Sequence, residues 1–436
     1  MTAKHVNVTL KLTPERSLIH PTQCFRYVDA FLHVDAVSQP SKLDRLPLTL
    51  ALVLDRSGSM QGEKVETAKK AVLAVLERLE ERDQAAIVIF DDRIDVLQSA
   101  GHVTQAFKSQ ARAAVSRVEA RANTALHEGW LTGCKAIAPE HTGGNNGVTR
   151  CFLLTDGLAN VGVTDPEQIA GEAAGIREHT GISTSTFGIG DDYNESLLAP
   201  MAVAGGGQFH HLRTANEIMN TFVGELGDLL AVAARQVRLE LEAEAGMSAD
   251  VVSTYWTSAT QPGGTSWSVA IGDLLGGDER HVVVRFGFPD QQGQASRTIR
   301  ARLVWTDEEG EHTAPWQELR FTYATPEACE AEQPNPEVLA VAGKHTSSKA
   351  QMEALRLNRA GDFAGANQVM AQATSAVASY AAYAPELEAE VAEMDELTQN
   401  VSNAPAAPAY SKERMYQKQN VTRGQKDKRT QPPEKK

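Results

Sequence analysis

The stretch LTLALVLDRSGSMQGEK, residues 48–64, joins an unbroken apolar run to a short loop that carries Asp55, Ser57 and Ser59 at every second position. A strand that is apolar without alternation is covered on both faces, which is the habit of parallel sheets. Beyond the loop, Val65, Ala68, Val72, Val75, Leu76 and Leu79 recur at helical spacing. AAIVIF (85–90), RCFLLTD (150–156) and STSTFGIG (183–190) repeat the strand pattern after intervening helices. Residues 47–230 therefore read as an α/β domain, a doubly wound and mostly parallel sheet with helices on both faces.

The flanks follow another period. Val6, Val8, Leu10 and Leu12 alternate, Cys24 to Val34 reads as a second strand, and the two-residue period returns between residues 231 and 325, where four of the five tryptophans lie. Two strands alone do not make a stable domain. Residues 1–46 are therefore expected to complete the later sheet, so that the α/β domain is inserted in a split β-sandwich. Residues 336–400 read as a helical region, with Gly361 ending one helix, Asp362 capping the next and an acidic helix after Pro385. Residues 401–436 have little apolar content and are expected to form a disordered basic tail.

The formal net charge is −14, which argues against nucleic-acid binding by the body of the chain. Residues 401–436 carry nine Lys or Arg against three Asp or Glu, so nucleic acid or anionic lipid is expected to involve the tail alone. Cys24, Cys134, Cys151 and Cys329 form no CxxC pair and are expected to be reduced thiols. There is neither a signal-peptide pattern at MTAKHVNVTLKL nor an apolar run long enough to span a bilayer, so a cytoplasmic location is expected.

In open parallel sheets, ligands bind beyond the carboxyl ends of the strands. Asp55, Ser57 and Ser59 sit at such an end, and their hard oxygens suit a small divalent cation such as Mg2+. Asp156 follows the strand CFLL in the same topological role as Asp55, and Thr124 in RANTALHEG lies in a loop just before a helix. Singly, each has an ordinary explanation: the aspartates as strand-end turn residues, Ser59 and Thr124 as helix caps. His210 and His211 read as strand residues, and Asp191, Asp192, Asn194 and Glu195 as a helix start.

Together, DRSGSM, the NTALHEG loop 69 residues after Asp55, LLTDG with its aspartate 101 residues after Asp55, and FGIGDDYNESLLAPMAVAGGGQFHHL resemble the von Willebrand factor A domain with an intact metal-ion-dependent adhesion site. The resemblance implies that Ser57, Ser59 and Thr124 offer hydroxyl oxygens to a metal, while Asp55 and Asp156 hold it mainly through water. Mg2+ is the ion implied, with Mn2+ or Ca2+ as alternatives, and a carboxylate of a partner protein completes its coordination. Asn123 stands where the family often has glycine. Lys64 borders this face and is expected to be a solvated surface lysine.

The whole chain resembles bacterial intracellular proteins of this class and, more loosely, the core of inter-alpha-trypsin inhibitor heavy chains. By analogy with bacterial relatives, an AAA-type ATPase is a partner to consider. No phosphate-binding loop motif is present. The expected function is a metal-dependent protein-binding module, a scaffold or regulator rather than an enzyme. The alternatives are a metal-dependent hydrolase, for which no GxSxG elbow is present, and association with membrane or nucleic acid through the tail.

Overall fold

The computed structural model describes residues 6–35, 46–121, 123–139, 147–260, 264–291, 293, 295–307, 309–401 and 404–424. In chain order the strands are β1 (Val8–Pro14), β2 (Leu18–Ile19), β3 (Cys24–Val34), β4 (Leu48–Asp55), β5 (Gln84–Phe90), β6 (Ile94–His102), β7 (Val148–Thr155), β8 (Ser183–Ile189) and β9 (Gly206–Leu212). They continue with β10 (Val232–Ala243), β11 (Ser248–Val251), β12 (Trp256–Ala259), β13 (Ser266–Leu275), β14 (Glu279–Phe288), β15 (Ser296–Thr306), β16 (Glu311–Thr313) and β17 (Gln317–Tyr323). The helices used below are α1 (Glu63–Arg78), α2 (Gln105–Ser116), α3 (Leu126–Ala136), α4 (Pro166–Thr180), α5 (Glu195–Ala204), α6 (Ala215–Leu229), α7 (Pro326–Ala331), α8 (Pro336–Arg359), α9 (Phe363–Ala381), α10 (Glu388–Val401) and α11 (Pro408–Arg423). The chain divides into two compact units, one spanning residues 37–235 and the other joining residues 1–36 to 236–425.

The inner unit is an α/β layer structure around a six-stranded sheet in the order β6-β5-β4-β7-β8-β9. Every pair is parallel except β5 with β6. All eight residues of β4 are buried, as its unbroken apolar run requires of a central strand. Leu50, Leu52 and Leu54 face a core shared with Val65 and Val72 of α1, Phe107 of α2, and Ile218 and Phe222 of α6. On the opposite face α3 approaches closely. A Cβ on Gly133 would lie 2.2 Å from Val53 Cγ2, and one on Gly129 would lie 2.5 Å from Phe90 Cγ, so both helix positions require glycine.

The outer unit holds two mainly antiparallel sheets. One runs β1-β3-β14-β11; the other runs β12-β13-β10-β15-β17-β2, with β16 on β15. The N-terminal strands do join the later ones: β3 lies between β1 and β14, and β2 pairs with β17. Phe288 of β14 meets Phe321 of β17 with ring centroids 4.8 Å apart, one of the contacts by which the two sheets pack face to face.

The C-terminal helices belong to this same unit. α8 ends at Arg359, Gly361 adopts φ 81°, and the Asp362 side chain accepts a hydrogen bond from Gly365 N–H to start α9. Within the segment 401–436 expected to be a disordered basic tail, residues 408–423 instead form helix α11, with Lys412, Met415, Tyr416 and Lys418 buried. The reason is charge complementarity: Lys418 Nζ donates to Glu393 Oε2 (2.8 Å) and Glu390 Oε2 (3.3 Å) of α10, and Arg414 pairs with Glu393. Residues 425–436 of the proposed tail lie outside the described residues. Among the described residues no helix is long and apolar enough to cross a membrane.

Candidate functional site

Asp55 is the last residue of β4 and Asp156 follows the last residue of its parallel neighbour β7, so the topology alone sets both carboxylates on one edge of the sheet. After Asp55 the chain makes a single 3-10 turn, Gly58–Met60, before α1. That turn brings the Ser57 and Ser59 hydroxyls to 3.1 Å from each other. Ser59 Oγ donates to Asp156 Oδ1 at 2.7 Å, which ties the first loop to the second.

Thr124 closes the group from a third loop. A Cβ on Gly157 would lie 3.1 Å from Thr124 Oγ1, 3.5 Å from Ser59 Oγ and 3.6 Å from Ser57 Oγ. The three hydroxyls therefore surround one point beside the Gly157 backbone. Helix capping does not account for Ser59 or Thr124: α1 has Gly62 and α3 has Ala125 at the N-cap, neither with a side-chain cap bond. The turn-residue reading of Asp55 holds in part, since its Oδ1 accepts the Ser57 N–H at 2.7 Å.

The carboxylates sit behind the hydroxyls. Asp55 and Asp156 are both buried. Burial pushes the Asp55 carboxyl up to about 6, against the lowering effect of hydrogen bonds from Thr155 and Ser57, and the charge of Asp156 adds to the rise. Thr155 Oγ1 donates to Asp55 Oδ2 at 2.5 Å. The hydrogen-bond partners of Asp55 are thus neutral, and a cation beside it would relieve the cost of its burial. Oxygen-only donors, mostly hydroxyls, suit a hard divalent ion, so the residues present fit Mg2+. Among the described residues no group of three or more His, Cys, Asp or Glu side chains converges in the manner of a metal site.

Several residues that hold this arrangement were not singled out from sequence. Asn160 Oδ1 accepts the Thr124 N–H at 3.0 Å, and Asn160 N–H donates to Thr124 O at 3.2 Å. Asp91, after β5, links two of the loops: its Oδ2 lies 2.8 Å from Arg56 Nε and 2.6 Å from Arg121 Nε, and its carbonyl accepts the Ala125 N–H. Burial alone would raise the Asp91 carboxyl, but hydrogen bonds from Arg121 and the Arg93 N–H, with the charge of Arg56, bring it below its ordinary value. Lys64 is not simply solvated, as expected above. Its Nζ lies 2.5 Å from Asp156 Oδ2 and its side chain is only 29% exposed.

The other sequence candidates have structural roles. Asn194 caps α5 by accepting the Ser196 N–H, and Glu195 is buried in that helix. His210 pairs with the buried Glu225 at 3.1 Å, and Ser185 donates to the same carboxylate. His211 Nδ1 lies 2.7 Å from the Tyr193 hydroxyl. The four cysteines are free thiols, three of them buried.

A family model described as the von Willebrand factor type A domain matches residues 49–223. The uncharacterised protein sll0103 of Synechocystis is 30% identical over 247 residues, which cover 55% of this chain and 57% of that protein. Human inter-alpha-trypsin inhibitor heavy chain H3 is 32% identical over 185 residues, covering 41% of this chain and 20% of the inhibitor chain. The chain thus spans about half or less of the length of these relatives. Among solved structures, a von Willebrand factor type A protein from Catenulispora acidiphila aligns over 91% of this chain and 89% of its own, with TM-score 0.70 and 18% identity. The ArnB paralog VWA2 from Sulfolobus acidocaldarius aligns over 95% and 98%, with TM-score 0.61 and 15% identity. The inner unit, with its six-stranded sheet and its hydroxyl-lined edge, is a von Willebrand factor type A domain.

Proposed function

We propose that the inner domain holds one Mg2+ ion between Ser57, Ser59, Thr124, Asp55 and Asp156, and uses it to capture an acidic side chain of a protein partner. The observation that carries this reading is the convergence of three hydroxyls, two from the loop after β4 and one from the Thr124 loop, on one point beside Gly157 of a third loop, backed by two buried carboxylates. Domains of this family commonly mediate protein interactions. Ser57, Ser59 and Thr124 would give the ion neutral oxygens, and the aspartates would balance its charge from behind. An ion held by few charged groups stays electrophilic toward an incoming carboxylate. The bound ion supplies one strong, oriented contact, and the loops around it supply selectivity.

The reading favours recognition over turnover. The two serine hydroxyls are engaged with one another and with the carboxylates of Asp55 and Asp156, while His127, on the neighbouring helix α3, is paired with Glu172 at 2.7 Å. A serine nucleophile is ordinarily activated by a histidine or an amine, and the histidine on the neighbouring helix is engaged by Glu172 instead. Cytoplasmic work as a scaffold or regulator is part of the same proposal.

The test is fluorescence anisotropy of the full chain against a library of Asp- and Glu-containing peptides, in Mg2+ and in chelator. Capture should require Mg2+, should fail for the same peptides with Asn or Gln in place of the acid, and should be lost in Asp156→Ala. Capture that persists in chelator, or hydrolysis of peptide or phosphoester substrates at the site, overturns the reading.

A further inference from the structure

Lys64 stands out because its position opposes local electrostatics. It is the second residue of α1, where the helix dipole favours anions and disfavours a cation. The same first turn carries Glu63 and Glu66, yet the Lys64 side chain turns to Asp156 instead of pairing with either. Asp156 is fully buried, and its carboxylate is divided between two donors: Ser59 Oγ at 2.7 Å on Oδ1 and Lys64 Nζ at 2.5 Å on Oδ2. The ammonium is therefore one carboxylate away from the hydroxyl group that forms the proposed ion site.

We propose that Lys64 is a tethered counter-cation of this site, displaced from Asp156 by the divalent ion, and that the exchange sets how tightly the ion is held. The inference rests on the metal reading above and adds a residue outside the five oxygen donors. A buried carboxylate needs a positive partner, and the ammonium meets that need from within the chain. A divalent ion held by Asp156, directly or through water, competes with the ammonium for the same charge and repels it. The lysine has somewhere to go. Its side chain is 29% exposed, it reaches inward on a flexible four-carbon arm, and it passes Gly190 at the end of β8, where a Cβ would lie 3.7 Å from Nζ. A side chain on Gly190 would narrow that passage, and φ 71° there favours glycine.

The experiment titrates Mn2+ into the full chain, reading free Mn2+ by electron paramagnetic resonance, for the wild type, Lys64→Met and Lys64→Arg. Lys64→Met should bind about tenfold more tightly, because the competing charge is gone, and Lys64→Arg should stay within about twofold of wild type. Thermal unfolding supplies a second readout. In chelator Lys64→Met should unfold at a lower temperature than wild type, and saturating Mg2+ should erase the difference. If wild type binds Mn2+ but Lys64→Met binds equally or more weakly, the proposal is overturned while the metal reading stands. Equal tightening in Lys64→Arg also overturns it, since the charge would then be irrelevant. Absence of Mn2+ binding in all three chains overturns the metal reading itself and the proposal with it.

Discussion

At the scale of single residues, the site depends on groups whose partners are remote in sequence. Asn160 holds the Thr124 loop with two hydrogen bonds of 3.0 and 3.2 Å, although its own side chain would touch no ion. Asn160→Ala removes one of them, a net loss of about 1 kcal/mol in the positioning of Thr124, so the affinity for Mg2+ should fall by up to about fivefold and the unfolding temperature by no more than about 4 °C. Calorimetric titration beside a thermal melt checks this; an unchanged affinity would show that the Thr124 loop needs no clamp. His345, in the other unit, gives a pH-dependent case. Burial drives its imidazole down to about 3, with the charges of His281 and Lys344 adding to the effect. Ser253 Oγ accepts the Val283 N–H at 2.8 Å and lies 2.7 Å from His345 Nδ1, so the buried ring has a neutral hydrogen-bond partner and no carboxylate at that nitrogen. The unfolded chain takes up a proton near pH 6.5 that the folded unit refuses. The stability due to this group is therefore intact above pH 6.5 and falls by about 1.4 kcal/mol per pH unit between about 6.5 and 3. Urea unfolding at pH 7, 6 and 5 should show that slope, and His345→Gln should flatten it.

At the scale of elements, legibility followed the distance over which a pattern acts. β4 could be read as a central strand because all eight of its residues share one environment, and the helix after it because Val65, Val72 and Leu76 repeat on one face. Asp362 and Gly361 mark the α8–α9 junction with local chemistry, and they stand where that chemistry places them. α11 was missed for the opposite reason. Its buried face includes Lys412, Lys418 and Gln419, which no hydrophobic pattern reports, and the carboxylates that accept Lys418 lie 25 and 28 residues away on α10. Truncation after Ala407 should therefore lower the unfolding temperature of the outer unit by more than about 5 °C and speed amide exchange in α8 and α10. An unchanged melt and exchange pattern would return residues 408–424 to the status of a tail.

At the scale of the molecule, one chain builds two units from an interrupted β region and an inserted α/β domain. The interruption was readable because residues 6–34 alternate like residues 236–323 while the segment between them does not. The five candidate residues were singled out from strand ends and loop hydroxyls together with the resemblance to the von Willebrand factor A domain, and they lie on three loops at one edge of the sheet. The groups that support them were not singled out. Lys64 meets Asp156 across 92 residues, Thr155 meets Asp55 across 100, and Asp91 gathers Arg56 and Arg121 from separate loops. Such pairings are fixed by the order of the strands, which local sequence does not specify. The most direct test of the central claim is calorimetric titration of Mg2+ into the full chain, with Thr124→Ala as the comparison. Saturable binding of a single ion, weakened at least about tenfold by Thr124→Ala, is the expected result. No saturable binding, or equal binding by Thr124→Ala, would contradict it.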